Sequence, residues 1–154
     1  MESIQRLKYN LENYLASSLG KLMSSFAREY IFNVTDFLIV PVPLHRRRLR
    51  ERGFNQSLLL ARVLASDLGN QLDYLSLIRK RYTRAQTGLK REARRKNVKD
   101  AFSIIYPETV KDKKILLVDD VFTTGYTLNE CARILKKSGA TTVICLTLAR
   151  SLIN

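Results

Sequence analysis

Cysteine, proline and glycine are scarce in this chain of 154 residues, numbering two, three and six. Cys131 and Cys145 are too few and too far apart to cluster around a metal. Both fall inside apolar patterns, where a thiol packs as a small hydrophobe, so both are expected to be reduced and buried. The shortage of glycine and proline, with no repeated or low-complexity segment, excludes a disordered tail and a solenoid. No run of about 18 apolar residues exists to span a membrane. The opening Met1-Glu2-Ser3-Ile4-Gln5-Arg6 lacks the apolar core of a signal peptide. A cytoplasmic protein of one domain, residues 1–154, is expected, and its 45% hydrophobic content suffices for a core of ordinary size.

Acidic residues are also in short supply: 14 Asp and Glu stand against 27 Lys and Arg, a net charge of +13. Such a surface attracts polyanions, whether nucleic acid, polyphosphate or acidic membrane, and identifies only the sign of the partner. The single histidine, His45, lies in a loop pattern, and no Ser-His or Cys-His nucleophilic arrangement is evident.

What is present is patterned apolar sequence. Leu11, Tyr14, Leu15, Leu19, Leu22, Met23, Phe26 and Tyr30 recur at helical spacing and predict an amphipathic helix over 11–30. Its apolar side is either core or the surface of a homodimer. Phe37-Leu38-Ile39-Val40 predicts a buried strand, ended by Pro41-Val42-Pro43 and followed by a stiff loop. Asn55 as N-cap and Gly69 as stop predict a helix over 58–68. A second strand is expected over 113–118, a helix over 128–137 and a third strand over 141–148. Strands alternating with helices make an α/β fold with a parallel sheet covered on both faces. Between the halves lies a basic, less regular region with weaker strand patterns at 74–78 and 101–105, which reads as a small hood or flap.

The segment LLVDDVFTTGYT, residues 116–127, sets Asp119 and Asp120 at the end of an apolar run, the edge where open parallel sheets bind ligands. Adjacent carboxylates repel, so keeping both ionised requires donors or cations; vicinal sugar hydroxyls and hydrated Mg²⁺ both qualify. Thr123, Thr124, Gly125, Tyr126 and Thr127 then supply hydroxyls and backbone N–H groups where a helix begins, which is an anion site. Carboxylates beside an anion nest describe a sugar phosphate. The competing local reading is a capping box, Thr127-Leu128-Asn129-Glu130, with Thr127 merely starting the helix.

At the same sheet edge, PVPLHRRRLRERGFNQ presents Arg46, Arg47, Arg48, Arg50 and Arg52, a cationic run suited to a diphosphate. Clustering argues for the group and not for each member, since surface charges are normally solvated. Phe54 and Tyr82, interleaved with arginines, either stack on bases or pack against the core.

The order apolar strand, Asp-Asp, Thr-Thr-Gly-x-Thr resembles the phosphoribosyl diphosphate (PRPP) fingerprint of type I phosphoribosyltransferases. Three ordered segments, PVPLHRRRLRERGFNQ, RxTRAQTxLxRxxRRxNVxxAF and ILLVDDVFTTGYTLNECARIL, are similar to the ComF family, phosphoribosyltransferase-like proteins associated with natural competence. The resemblance covers about residues 4–150. It implies a type I phosphoribosyltransferase-like parallel sheet flanked by helices, with a small basic hood. It also implies Asp119 and Asp120 as catalytic residues holding the ribose 2- and 3-hydroxyls, with Val121, Thr123, Thr124, Gly125, Tyr126 and Thr127 around the 5-phosphate. Pyrophosphate would sit at Val42, Pro43 and His45, joined by Arg84 and Arg94 from a flap, with Mg²⁺ bound alongside PRPP. Many members carry an N-terminal cysteine-rich zinc module that this sequence does not contain, so no metal site of its own is expected. The implied activity is phosphoribosyl transfer with release of pyrophosphate, linked to natural transformation. The alternative is a non-enzymatic protein that senses PRPP or holds single-stranded DNA on Arg46, Arg47, Arg48, Arg50 and Arg52.

Overall fold

The computed structural model describes residues 2–82 and 98–151, and the side chains of its first helix from Tyr14 onward. In chain order come α1 (Glu2–Tyr30), β1 (Phe37–Pro41), α2 (Arg46–Arg52), α3 (Gln56–Leu68), β2 (Leu77–Arg79) and β3 (Phe102–Ile104). The single turn α4 (Pro107–Val110), β4 (Lys114–Phe122), α5 (Tyr126–Lys137) and β5 (Thr142–Arg150) complete it.

Three strands make a parallel sheet in the order β1-β4-β5, with Phe37 opposite Lys114 and Lys114 opposite Thr142. The continuous apolar runs have the meaning expected of them in β1 and in residues 115–118 of β4, which are buried on both faces, whereas in β5 only Leu146 is buried. Phe37, Ile39, Leu116 and Val118 pack with Met23, Ala27, Leu60 and Leu64 of α1 and α3. Leu38, Val40, Ile115 and Leu117 pack the other way, with Leu128, Cys131 and Leu135 of α5. The same second cluster takes in Leu77 and Phe102, so the antiparallel pair β2–β3, the hood, shares the core of the sheet. Glu130 of α5 holds the hood at its rim: it accepts from the Asp100 amide at 2.8 Å and pairs with Arg133, which also reaches Asp100.

Several local expectations change. The face that α1 buries is not the one lined by its largest apolar residues. Ala16, Met23 and Ala27 are buried, whereas Tyr14, Leu22, Phe26 and Tyr30 are each at least half exposed. Small residues win because α1 lies so close to α3 that a Cβ on Gly20 would stand 2.6 Å from the Cβ of Val63. The stiff loop expected after Pro43 is largely the helix α2, capped by His45 at one end and by Gly53 (φ 85°) at the other. No residue of α2 is buried, so it carries no apolar periodicity; arginine's helix propensity and the Arg47–Glu51 pair supply its stability.

The aspartates end the apolar part of β4 and not the strand itself, which continues in register to Phe122 opposite Arg150. The capping box, the competing local reading, does not form. Gly125 is the N-cap of α5 and no side chain caps the helix, while Glu130 is committed to the hood. Of the two cysteines, Cys131 is buried as expected and Cys145 is exposed on β5, the outer strand of the sheet. Among the described residues, no helix is long and apolar enough to cross a membrane.

Candidate functional site

At the carboxyl edge of the sheet, the exits of β1 and β4 and the N-termini of α3 and α5 surround a cleft of about 470 Å³. Asp119 and Asp120 line it. Asp119 Oδ1 accepts a hydrogen bond from Ser57 Oγ at 2.8 Å and another from the Asp120 amide at 3.0 Å, while Asp120 Oδ1 accepts from the Val121 amide. Burial pushes the Asp119 carboxyl up to about 7; the Ser57 hydroxyl opposes that rise and the neighbouring charge of Asp120 adds to it. The unliganded cleft thus holds one carboxyl poised between its two protonation states near neutral pH.

Ser57 reaches Asp119 because α3 starts where it does. Asn55 accepts from the Ser57 amide at 3.2 Å as N-cap, and its side-chain Nδ2 donates to the Val42 carbonyl at 3.0 Å. The Val42 amide in turn donates to the Val118 carbonyl at 2.9 Å. One asparagine and one serine therefore tie the loop after β1, the start of α3 and the end of β4 into a single frame.

Beyond the aspartates, the chain turns into α5 through Thr123, Thr124 and Gly125. Gly125 has φ 76°, and a Cβ there would lie 3.0 Å from the Phe122 ring, so both the turn and the close packing require glycine. Thr124 Oγ1 is buried and has no hydrogen-bond partner among the described residues. The turn sets Thr123, Gly125 and Thr127 on the wall of the cleft at the N-terminus of α5, where backbone N–H groups lack intrahelical partners.

The structure brings Val42, Pro43, Arg48, Arg52, Asp119, Asp120, Val121, Thr123, Gly125 and Thr127 to the walls of this one cleft. Other expected site residues lie apart from it. Tyr126 lines a separate hollow with Glu130 and Arg133. His45 serves α2 as its cap, its Nδ1 accepting from the Arg47 amide at 3.2 Å, and its ring meets Tyr82 edge-on. Arg46, Arg47 and Arg50 are exposed outside the cleft, with Arg47 paired to Glu51 and lying over the Tyr82 ring at 4.7 Å. Tyr82 thus packs against α2. Arg84 and Arg94 lie outside the described residues.

Three residues at the site escape the sequence reading. Asn55 and Ser57 read only as a helix start, and Arg79, which lines the cleft from β2, is lost among the neighbouring cations. Arg79 sits two positions beyond the buried Leu77, so alternation along a strand is the signal that would have singled it out.

Residues 55–153 match the phosphoribosyl transferase domain model. The chain belongs to this family. Among curated relatives of this phosphoribosyltransferase-like chain, the DNA utilization protein YhgH of Escherichia coli O157:H7 is 38% identical over 152 residues, covering 97% of the chain and 66% of the relative. Competence protein F of Haemophilus influenzae is 34% identical over 155 residues, covering 96% of the chain and 66% of the relative. These likenesses make it a ComF-type phosphoribosyltransferase-like chain that spans 66% of the length of the relatives it matches. The solved purine phosphoribosyltransferase from Pyrococcus horikoshii Ot3 superposes with a TM-score of 0.53 at 23% identity, over 88% of this chain and 75% of that one. The type I phosphoribosyltransferase fold is shared.

Proposed function

We propose that the cleft binds PRPP and that the chain transfers its phosphoribosyl group to an acceptor nucleophile, releasing pyrophosphate. The observation that carries this reading is one cleft lined by the half-buried pair Asp119 and Asp120 and, beside them, by Thr123, Gly125 and Thr127 of the turn into α5. Ribose hydroxyls donate to Asp119 and Asp120, the 5-phosphate accepts from the 123–127 turn, and the diphosphate extends toward Val42, Pro43, Arg48 and Arg52. The acceptor's lone pair attacks the anomeric carbon as the bond from that carbon to the diphosphate oxygen breaks, its electron pair leaving with pyrophosphate. Asp119 and Asp120 stabilise the positive charge that develops on the sugar, and placement of the two reactants supplies the rest. No side-chain nucleophile is required.

Mg²⁺ fits this reading as an ion that arrives with the diphosphate. Among the described residues no group of three or more His, Cys, Asp or Glu could hold a metal, so the cleft offers only the two carboxylates of Asp119 and Asp120 beside the ligand's own oxygens. Asp119 and Asp120 would hold such an ion together with the ligand's oxygens, and it would supply positive charge beside the diphosphate. Calorimetric titration with PRPP and Mg²⁺ tests the reading. Binding is expected for the wild type and lost in the Asp119→Asn/Asp120→Asn double variant; retained affinity in that variant rejects the site.

A second, DNA-directed role is favoured by a separate observation. Relatives carry the names DNA utilization protein and Competence protein F, and Arg46, Arg47 and Arg50 lie exposed outside the cleft. On this reading the outer side of α2 holds the phosphates of single-stranded DNA during uptake. Reversing these three charges to Glu is expected to weaken oligonucleotide binding and flatten the slope of log affinity against log salt by roughly 2, leaving PRPP binding intact. An unchanged slope removes the assignment.

A further inference from the structure

Helix α1 meets α3 closely through Gly20, next to Val63, and through Arg28, which pairs with Asp67 at 3.3 Å. At about 100° per residue, Leu15, Leu19, Leu22, Phe26 and Tyr30 fall within about 80° of one another, on the side turned away from α3. None of them is charged. Leu15, Leu22, Phe26 and Tyr30 are 45%, 64%, 50% and 64% exposed. The Phe26 and Tyr30 rings stack with centroids 4.5 Å apart, so covering this pair costs little further ordering.

The stripe runs beside an open strand. Helix α3 lies over β1 and β4, whereas α1 reaches β5, and Leu19 packs with Ile144 and Leu148 of that strand. Among the described residues β5 pairs only with β4, which leaves its outer edge unpaired. That edge is nine residues long, Thr142–Arg150, with no proline and no charge before its last residue. Proteins that leave a strand edge bare blunt it with proline, lysine or a very short strand. β5 has none of these. Stripe and edge together form an uncharged surface rich in free backbone groups, which suits a polypeptide and offers nothing to the phosphates of a nucleic acid.

We propose that this surface is the interface with a second copy of the chain, in which β5 pairs antiparallel with the second copy's β5 and the two α1 stripes pack together. Self-complementarity selects a second copy. Aligned over its full length with an antiparallel copy, β5 centres on Leu146, which sets Arg150 opposite Thr142, Ile144 opposite Leu148 and Cys145 opposite Thr147. No like charges face each other. The two-fold axis of such a pairing stands perpendicular to the sheet, so both α1 helices lie on the same face and run antiparallel. Leu15, Leu19, Leu22 and Phe26 recur at intervals of four, three and four residues, the spacing of helices packed side by side. The exposed stripe and edge offer on the order of 700 Å² per copy, close to the roughly 800 Å² per partner of a stable interface. The pairing closes on itself, merges two three-stranded sheets into one of six and points the two clefts in opposite directions.

Sedimentation of the wild-type chain over a range of concentrations is expected to show a dimer with a Kd of about 10 µM or tighter. Leu22→Glu and Phe26→Glu each bury a charge in the seam and should raise that Kd about tenfold or more. Tyr14→Glu, on the same helix but outside the stripe and 72% exposed, should stay within about twofold. Cys145 reports on the strands, since it is exposed while Cys131 is buried. In the centred pairing the two copies of Cys145 are diagonal neighbours about 7–8 Å apart. A short bis-maleimide should therefore join wild-type chains into a covalent dimer and leave Cys145→Ser as single chains. If a Glu variant shows no cooperative thermal transition, Leu22→Ser, Phe26→Ser and the wild-type cross-link carry the test.

A chain that stays monomeric up to about 100 µM overturns the proposal. So does a dimer whose Kd the folded Leu22 and Phe26 variants leave unchanged. A dimer that responds to both variants but is not joined through Cys145 overturns the strand pairing.

Discussion

At the scale of single residues, Asp119 carries the site's main electrostatic cost. Its carboxyl moves from 3.8 to about 7 in the fold, chiefly because it is buried. The folded chain therefore keeps a proton that the unfolded chain has already released between those values, so stability falls as pH rises through that window. Asp119→Asn removes the loss. Thermal melts should show the variant gaining on the wild type by several degrees between pH 4 and pH 8, and an equal difference at both ends would contradict the assignment. Ser57 acts in the opposite direction, since its hydroxyl is the main influence lowering the carboxyl's pKa. In Ser57→Ala the ionised form is lost to higher pH, so PRPP affinity should drop about tenfold at pH 7 and recover toward wild type by pH 9. A pH-independent loss would mean that Ser57 only shapes the backbone.

At the scale of elements, the frame depends on close approach and on caps. Gly20→Ala gains helix propensity of about 1 kcal/mol but drives a methyl into Val63, a clash expected to cost about 1–3 kcal/mol. Chemical denaturation should show a net loss of stability; a stabilised variant would mean that α1 and α3 can separate freely. Asn55→Ala removes both the cap of α3 and the bond to the Val42 carbonyl. A loss of about 1–2 kcal/mol in denaturation is expected. PRPP binding should weaken with it, because the loop after β1 loses its brace.

These elements were legible to different degrees. Asn55 and Gly69 mark both ends of α3 because capping is local chemistry, the apolar runs locate β1 and β4 because two-sided burial leaves a continuous signature, and β5 shows through its β-branched residues. The hood patterns at 74–78 and 101–105 condense to β2 and β3, each three residues long. Helix α2 was invisible to periodicity, having no buried side. In α1, most of the large apolar residues do not mark the face packed on α3, since a tight interface selects small ones.

For the whole molecule, the charge of +13 acts as a field around a cleft whose own walls carry both signs. A ligand that binds only the folded state stabilises it, by about 2.7 kcal/mol at one hundred times its Kd. PRPP with Mg²⁺ should raise the melting temperature of the wild type, and the Asp119→Asn/Asp120→Asn variant should show no shift. A shift in both would place PRPP elsewhere on the basic surface.

Sequence alone determined the order of the sheet strands and of α1, α3 and α5, the position of the acid pair and the threonine turn after it. Each of these is written in residues adjacent along the chain, with periods set by backbone geometry. Only the tertiary structure decided which arginines enter the cleft and that Ser57, 62 positions before Asp119, bonds to it. It also decided that a hood strand delivers Arg79 and that one carboxyl titrates near neutrality. Charge energies depend on desolvation and on distances between segments remote in sequence, and neither exists until the chain has packed.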